Sequence, residues 1–77
     1  MNKQRRKELE KAVALLGEAR AIIESVREEE DEAFDNMPDG IKESEKGEQM
    51  ADNLDTMDSA IDAIEEQETA IDDIING

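Results

Sequence analysis

Residues 36–40 read Asn36-Met37-Pro38-Asp39-Gly40, and this short stretch decides the fold. Proline has no N–H for a helix ladder and pushes the residue before it toward extended backbone, so no helix runs through Met37-Pro38. Asp39-Gly40 is turn chemistry. On either side of the break the chain carries a heptad pattern. Upstream, Leu9, Ala12, Leu16, Ala19, Ile23, Val26, Glu30, Ala33 and Met37 alternate steps of three and four, and all but Glu30 are apolar. Downstream, Met50, Leu54, Met57, Ile61, Ile64, Glu68, Ile71 and Ile75 do the same, with Glu68 the polar exception. Such spacing keeps one face of a helix apolar. Val13, Leu15 and Ile22 widen the first stripe.

The expected architecture is all-α: a coiled-coil-like, antiparallel two-helix hairpin forming a single domain over residues 1–77. One helix covers about residues 3–36, the turn about 37–43 with a short helical turn near Ile41, and the second helix about 44–75. Asn2 and Ser44 are the expected N-caps and Asn76-Gly77 the stop. Leu9 is expected near Ile71 or Ile75, and Val26 near Leu54 or Met57. Glu30 and Glu68 are expected at a rim where they reach water. Gly17 costs its helix about 1 kcal/mol against alanine, for which the sequence offers no reason.

Two helices make a thin core, and small chains need a staple. The 77 residues include no cysteine and no histidine. Disulfides, Cys/His zinc and His-activated nucleophiles are therefore excluded. Self-association or unusually regular helix packing is what remains, and a homodimer forming a four-helix bundle is expected. The basic start, Met1-Asn2-Lys3-Gln4-Arg5-Arg6-Lys7, has no apolar run after it, and no segment approaches a membrane span. The expected setting is cytoplasmic, with no membrane partner.

Charge is the other strong signal. The net charge is −14, with nine basic and 23 acidic side chains, and no basic residue follows Lys46. The basic start and the acidic end are each badly matched to their own helix dipole, and a hairpin sets them side by side. A field of this sign repels nucleic acid and attracts basic protein surfaces. Direct nucleic-acid binding is not expected: the basic patch is missing and Phe34 is the single aromatic. The partner expected is a protein with a basic surface.

Carboxylates are plentiful, but two helices offer no cleft to shift a pKa and nothing supplies an oxyanion hole, so no enzyme and no cofactor are expected. Asp35-x-Met37-x-Asp39-Gly40 touches the calcium-loop pattern, yet its twelfth position, which demands a bidentate Glu, is Lys46. No metal site is expected there. The organised acids are on the second helix. Glu48, Asp52, Asp55, Asp62, Glu66 and Asp73 share one outer face, beside the row Asp58, Glu65 and Asp72. These six are the candidate partner-binding residues. A solvated outer face is the ordinary explanation. The functional one is a negative rod with carboxylates roughly 5–6 Å apart, comparable with phosphates along a strand. Asp outnumbers Glu in it despite its poorer helix propensity.

The stretch Phe34-Asp35-Asn36-Met37-Pro38, continuing to Glu43-Ser44-Glu45-Lys46-Gly47-Glu48 and an acidic Ile/Ala-rich helix, resembles small acidic proteins encoded by tailed bacteriophages and prophages. The resemblance brings no site residues. It implies a phage context and the host cell cytoplasm. Inhibition of a host nucleic-acid-binding protein by DNA mimicry is one theme of such proteins. The alternative is a structural or assembly accessory that docks through its apolar stripe.

Overall fold

A computed structural model describes residues 1–77. It contains three helices and no strand: α1 over Lys3–Asp35, α2 over Asp39–Lys42 and α3 over Glu45–Asn76. The molecule is a rod of 58 × 15 × 13 Å. Its long helices are 33 and 32 residues, about 50 Å each at 1.5 Å per residue.

The ends follow from local chemistry. Asn2 caps α1, its Oδ1 accepting from the Arg5 N–H at 2.8 Å. At the other end the Asn36 N–H closes onto the Glu32 carbonyl, and the chain turns at Pro38. The single turn of α2 follows. Phe34, half-buried at the end of α1, lies under Lys42, whose Nζ is 5.6 Å from the ring centroid. That cation–π contact ties α2 to α1. Ser44 occupies the N-cap position of α3, but its hydroxyl donates to the Ile41 carbonyl instead of accepting from the helix start. The expected side-chain cap is therefore not made. Gly77 ends α3, its N–H donating to the Asp73 carbonyl.

Cross-helix pairs fix direction and register. Arg20 Nη1 lies 3.7 Å from Glu65, and Arg27 Nε lies 2.8 Å from Asp58. Gly17 faces Glu68. Position rises in α1 as it falls in α3, so the helices are antiparallel; these three pairs each add to 85, and residues whose numbers add to 84–86 stand at the same height. This register sets Leu9 level with Ile75, Ile23 level with Ile61 and Phe34 level with Met50.

On α3, Met50, Leu54, Met57, Ile61, Ile64, Glu68, Ile71 and Ile75 are all buried or half-buried, as their spacing predicts. The stripe on α1 needs correction. Leu9, Leu16, Ile23, Glu30 and Met37 face the partner helix, but Ala19, Val26 and Ala33 are exposed. Val26, expected near Leu54 or Met57, is 47 % exposed and stands at the edge of the seam rather than in it. The inward row is instead Val13, Arg20, Arg27 and Phe34, one position further along, and all four are half-buried. Both rows keep heptad spacing, so apolarity alone favoured the alanines. Arginine won because its long apolar stem packs along the seam while the guanidinium reaches acids at the edge.

Leu54, 7 % exposed, is the one buried hydrophobic residue. A core this thin leaves room for improvement at Gly17, where an added Cβ would sit at an ordinary 3.6 Å from Glu68 Oε2. Gly17→Ala is expected to stabilise the fold by about 1 kcal/mol through helix propensity, raising the midpoint of a thermal melt by roughly 4–8 °C.

Candidate functional site

Two sides of the rod differ in chemistry, and the arginines of the seam define which side is which. Arg20 donates to Glu68 at 2.7 Å and to Glu24 at 2.7 Å, and lies 3.7 Å from Glu65. Arg27 donates to Asp58 at 2.8 Å and lies 3.6 Å from Asp31. Glu68 is not at a water-filled rim, contrary to expectation. Its side chain is 17 % exposed and is held by the Arg20 fork. Glu30 has no ion-pair partner, and no side-chain polar atom is buried without a hydrogen bond. Its carboxylate therefore reaches solvent.

Both guanidinium groups are held above their ordinary pKa. For Arg20 the main cause is the hydrogen bond to Glu68, followed by that to Glu24; for Arg27 it is the hydrogen bond to Asp58. A raised basic pKa stabilises the fold below the unfolded value and loses that contribution only above the folded one. The arginines therefore stay charged across the whole range in which a protein is handled.

Glu24 and Asp31 each stand four residues after a seam arginine. Asp58 and Glu65 stand four residues after Leu54 and Ile61. Because Arg20 and Arg27 bind acids from both helices, these edges of α1 and α3 form one shared charged side. The opposite edges, one residue before each seam position, share the other side.

The six candidate residues lie on the back of α3, away from α1. Glu48, Asp52, Asp55, Asp62, Glu66 and Asp73 are all exposed. None takes part in an ion pair, since every cross-helix pair is made by Arg20 or Arg27. The row of Asp58 and Glu65 is different: both belong to the arginine network. The basic start of α1 does lie beside the acidic end of α3, but no ion pair joins Lys3, Arg5, Arg6 or Lys7 to it. Neutralisation there acts only through space.

The outer face of α3 has two shallow, open depressions. One is bounded by Asp62, Glu65, Glu66 and Thr69, the other by Glu45, Lys46, Glu48, Gln49 and Asp52. Neither has an apolar lining residue. No group of three or more Asp, Glu, His or Cys side chains is arranged to hold a metal ion. No helix is long and apolar enough to cross a membrane.

The network of Arg20 and Arg27 was not found from the sequence. The signal existed: the two arginines stand seven residues apart, in register with Val13 and Phe34. No family model, curated protein or solved structure matches the chain.

Proposed function

We propose that this chain is a small, non-enzymatic interaction protein that self-associates and engages a basic protein surface through the outer face of α3. The observation that carries the reading is the uncompensated charge of Glu48, Asp52, Asp55, Asp62, Glu66 and Asp73, exposed along one face with no ion pair to any of them. The chain's two seam arginines are spent on other acids. A row of carboxylates at helical spacing presents to a cationic groove the charge that a nucleic-acid backbone would present. The concrete form is a DNA mimic that blocks a host nucleic-acid-binding protein, consistent with the phage context that the resemblance implies. The working compartment is then the host cytoplasm.

The exposed apolar side chains Leu15, Ile22 and Val26 favour a second reading. There the chain is an assembly accessory docked through this stripe.

Charge-neutral substitution tests the first reading. Asp52→Asn, Asp55→Asn, Asp62→Asn and Glu66→Gln together are expected to leave helicity unchanged, since all four point outward. They are expected to weaken partner binding at least about tenfold at low salt, mainly through slower association. Glu10, Glu18, Glu28 and Glu32, exposed on α1 and outside the arginine network, form the control when changed to Gln. Equal weakening in both variants assigns the effect to net charge and overturns the patterned face.

A further inference from the structure

We infer that the side of the rod opposite the arginine network is the seat of a second copy of this chain, related by a two-fold axis parallel to the rod. The inference rests on the self-association just proposed and specifies its face, symmetry and register.

The observations begin with a second heptad. On α1, Ala12, Leu15, Ala19, Ile22, Val26 and Ala33 follow their own seam spacing, with Glu29 the polar exception, on the side away from Glu24 and Asp31. Leu15 and Ile22 are 64 % and 65 % exposed, and Val26 is 47 % exposed. On α3, Ala60, Ala63, Ala70 and Ile74 lie along the same side of the hairpin, with Ile74 50 % exposed. A helix with two apolar seams is built to contact two neighbours, as in a four-helix bundle. Each hairpin supplies one of those neighbours and lacks the other.

Two symmetric arrangements bring these sides together. An axis across the rod lays α1 on α1 and α3 on α3. That would press together two helices that each carry eleven acids and one lysine, a costly like-charge contact. An axis along the rod lays α1 of each copy on α3 of the other. Every adjacent pair is then antiparallel α1–α3, the two acidic helices are diagonal, and Lys3, Arg5, Arg6, Lys7 and Lys11 approach the acidic end of a second α3.

Side-chain size selects the same arrangement. An axis along the rod preserves height, so the register within one hairpin also holds between hairpins. It sets Leu15 level with Ala70 of the second copy, Ile22 with Ala63, Val26 with Ala60 and Ala12 with Ile74. A large residue meets a small one at each of these layers, which is how packed helices interdigitate. A face 58 Å long and 15 Å wide is also comparable with the roughly 800 Å² per partner that stable interfaces bury.

The test uses the full chain, which has no native cysteine. Native mass spectrometry at micromolar concentration is expected to give twice the 8.6 kDa chain mass, and Ile22→Asp to return it to the single mass. Separately, Ile22→Cys and Ala63→Cys chains are each oxidised alone and as a mixture. The mixture is expected to yield a disulfide-linked Ile22→Cys–Ala63→Cys pair, because facing positions satisfy the short Cβ separation that a disulfide needs. Ile22→Cys alone should not link to itself, since the two α1 helices are diagonal. A wild-type monomer overturns both the self-association and its geometry. A dimer in which Ile22→Cys links to itself and the mixed link is absent overturns the geometry alone, leaving self-association standing. The disulfide arm does not depend on whether Ile22→Asp folds.

Discussion

Gly47→Ala is expected to break the corner of the hairpin. Gly47 is one of only two buried residues, and it sits in the first turn of α3 directly beneath the end of α2. A Cβ there would overlap the Lys42 carbonyl and lie 2.6 Å from Lys42 Cα. Those atoms are backbone, so no side chain can swing aside. The clash can be relieved only by lifting α2 off α3, which also draws Lys42 away from Phe34. Overpacking of this kind costs about 3 kcal/mol where it meets rigid structure. Single domains of this size are stable by only about 4–12 kcal/mol, and a rod with one buried hydrophobic residue has little margin. A chemical melt should show the midpoint falling sharply. Helicity at the start of the titration should be partly retained, because the long helices themselves are untouched.

Leu16→Asp should have an effect of similar size by a different route. Leu16 is half-buried on the seam of α1 and, by the register, level with Glu68. The substitution removes an apolar contact and sets a second carboxylate beside one that already occupies Arg20. An uncompensated charge in a packed interface costs about 3–5 kcal/mol. Circular dichroism should therefore report large loss of helix at neutral pH. Leu16→Met, which keeps volume and polarity, should cost less than about 1.5 kcal/mol. A Leu16→Asp chain as helical as wild type would show that the helices do not pack through this seam.

The hairpin itself was legible because three independent signals agreed. Pro38 and Asp39-Gly40 marked the break, two heptads marked the helices, and Asn2 marked the start. The second helix could be read residue by residue, since its apolar positions form a single row with no competitor. The first helix could not. Ala12, Ala19, Val26 and Ala33 make one heptad row, while Val13, Arg20, Arg27 and Phe34 make another, and both run beside Leu9, Leu16 and Ile23. Choosing between them depends on which acids stand across the interface, and that is a tertiary fact. Glu24, Asp58, Glu65 and Glu68 decide it by giving the arginines partners.

Gly17 and Gly47 divide in the same way. Neither has a left-handed backbone, so the usual reason for glycine does not apply to either. Gly47 is required by the close approach of α2, which no local pattern announces. Gly17 meets no such obstacle, and its cost to the helix stands unrepaid in the hairpin. On the acidic face, all six positions read as outward from their spacing are exposed. Asp58 and Glu65 were set apart as a second row, but nothing local showed that their charge is answered within the chain by Arg27 and Arg20.

If the uncompensated face of α3 binds a partner as a nucleic-acid backbone would, DNA must compete for that partner. Wild-type protein is immobilised, loaded with its partner from a bacterial lysate at low salt, and eluted in parallel with duplex DNA and with about 0.5 M salt, where charges beyond a few ångströms are screened. Both eluants are expected to release the same protein, and the Asp52, Asp55, Asp62 and Glu66 neutral variant is expected to fail to capture it. A partner that survives both eluants and still binds the neutral variant would contradict the mimicry.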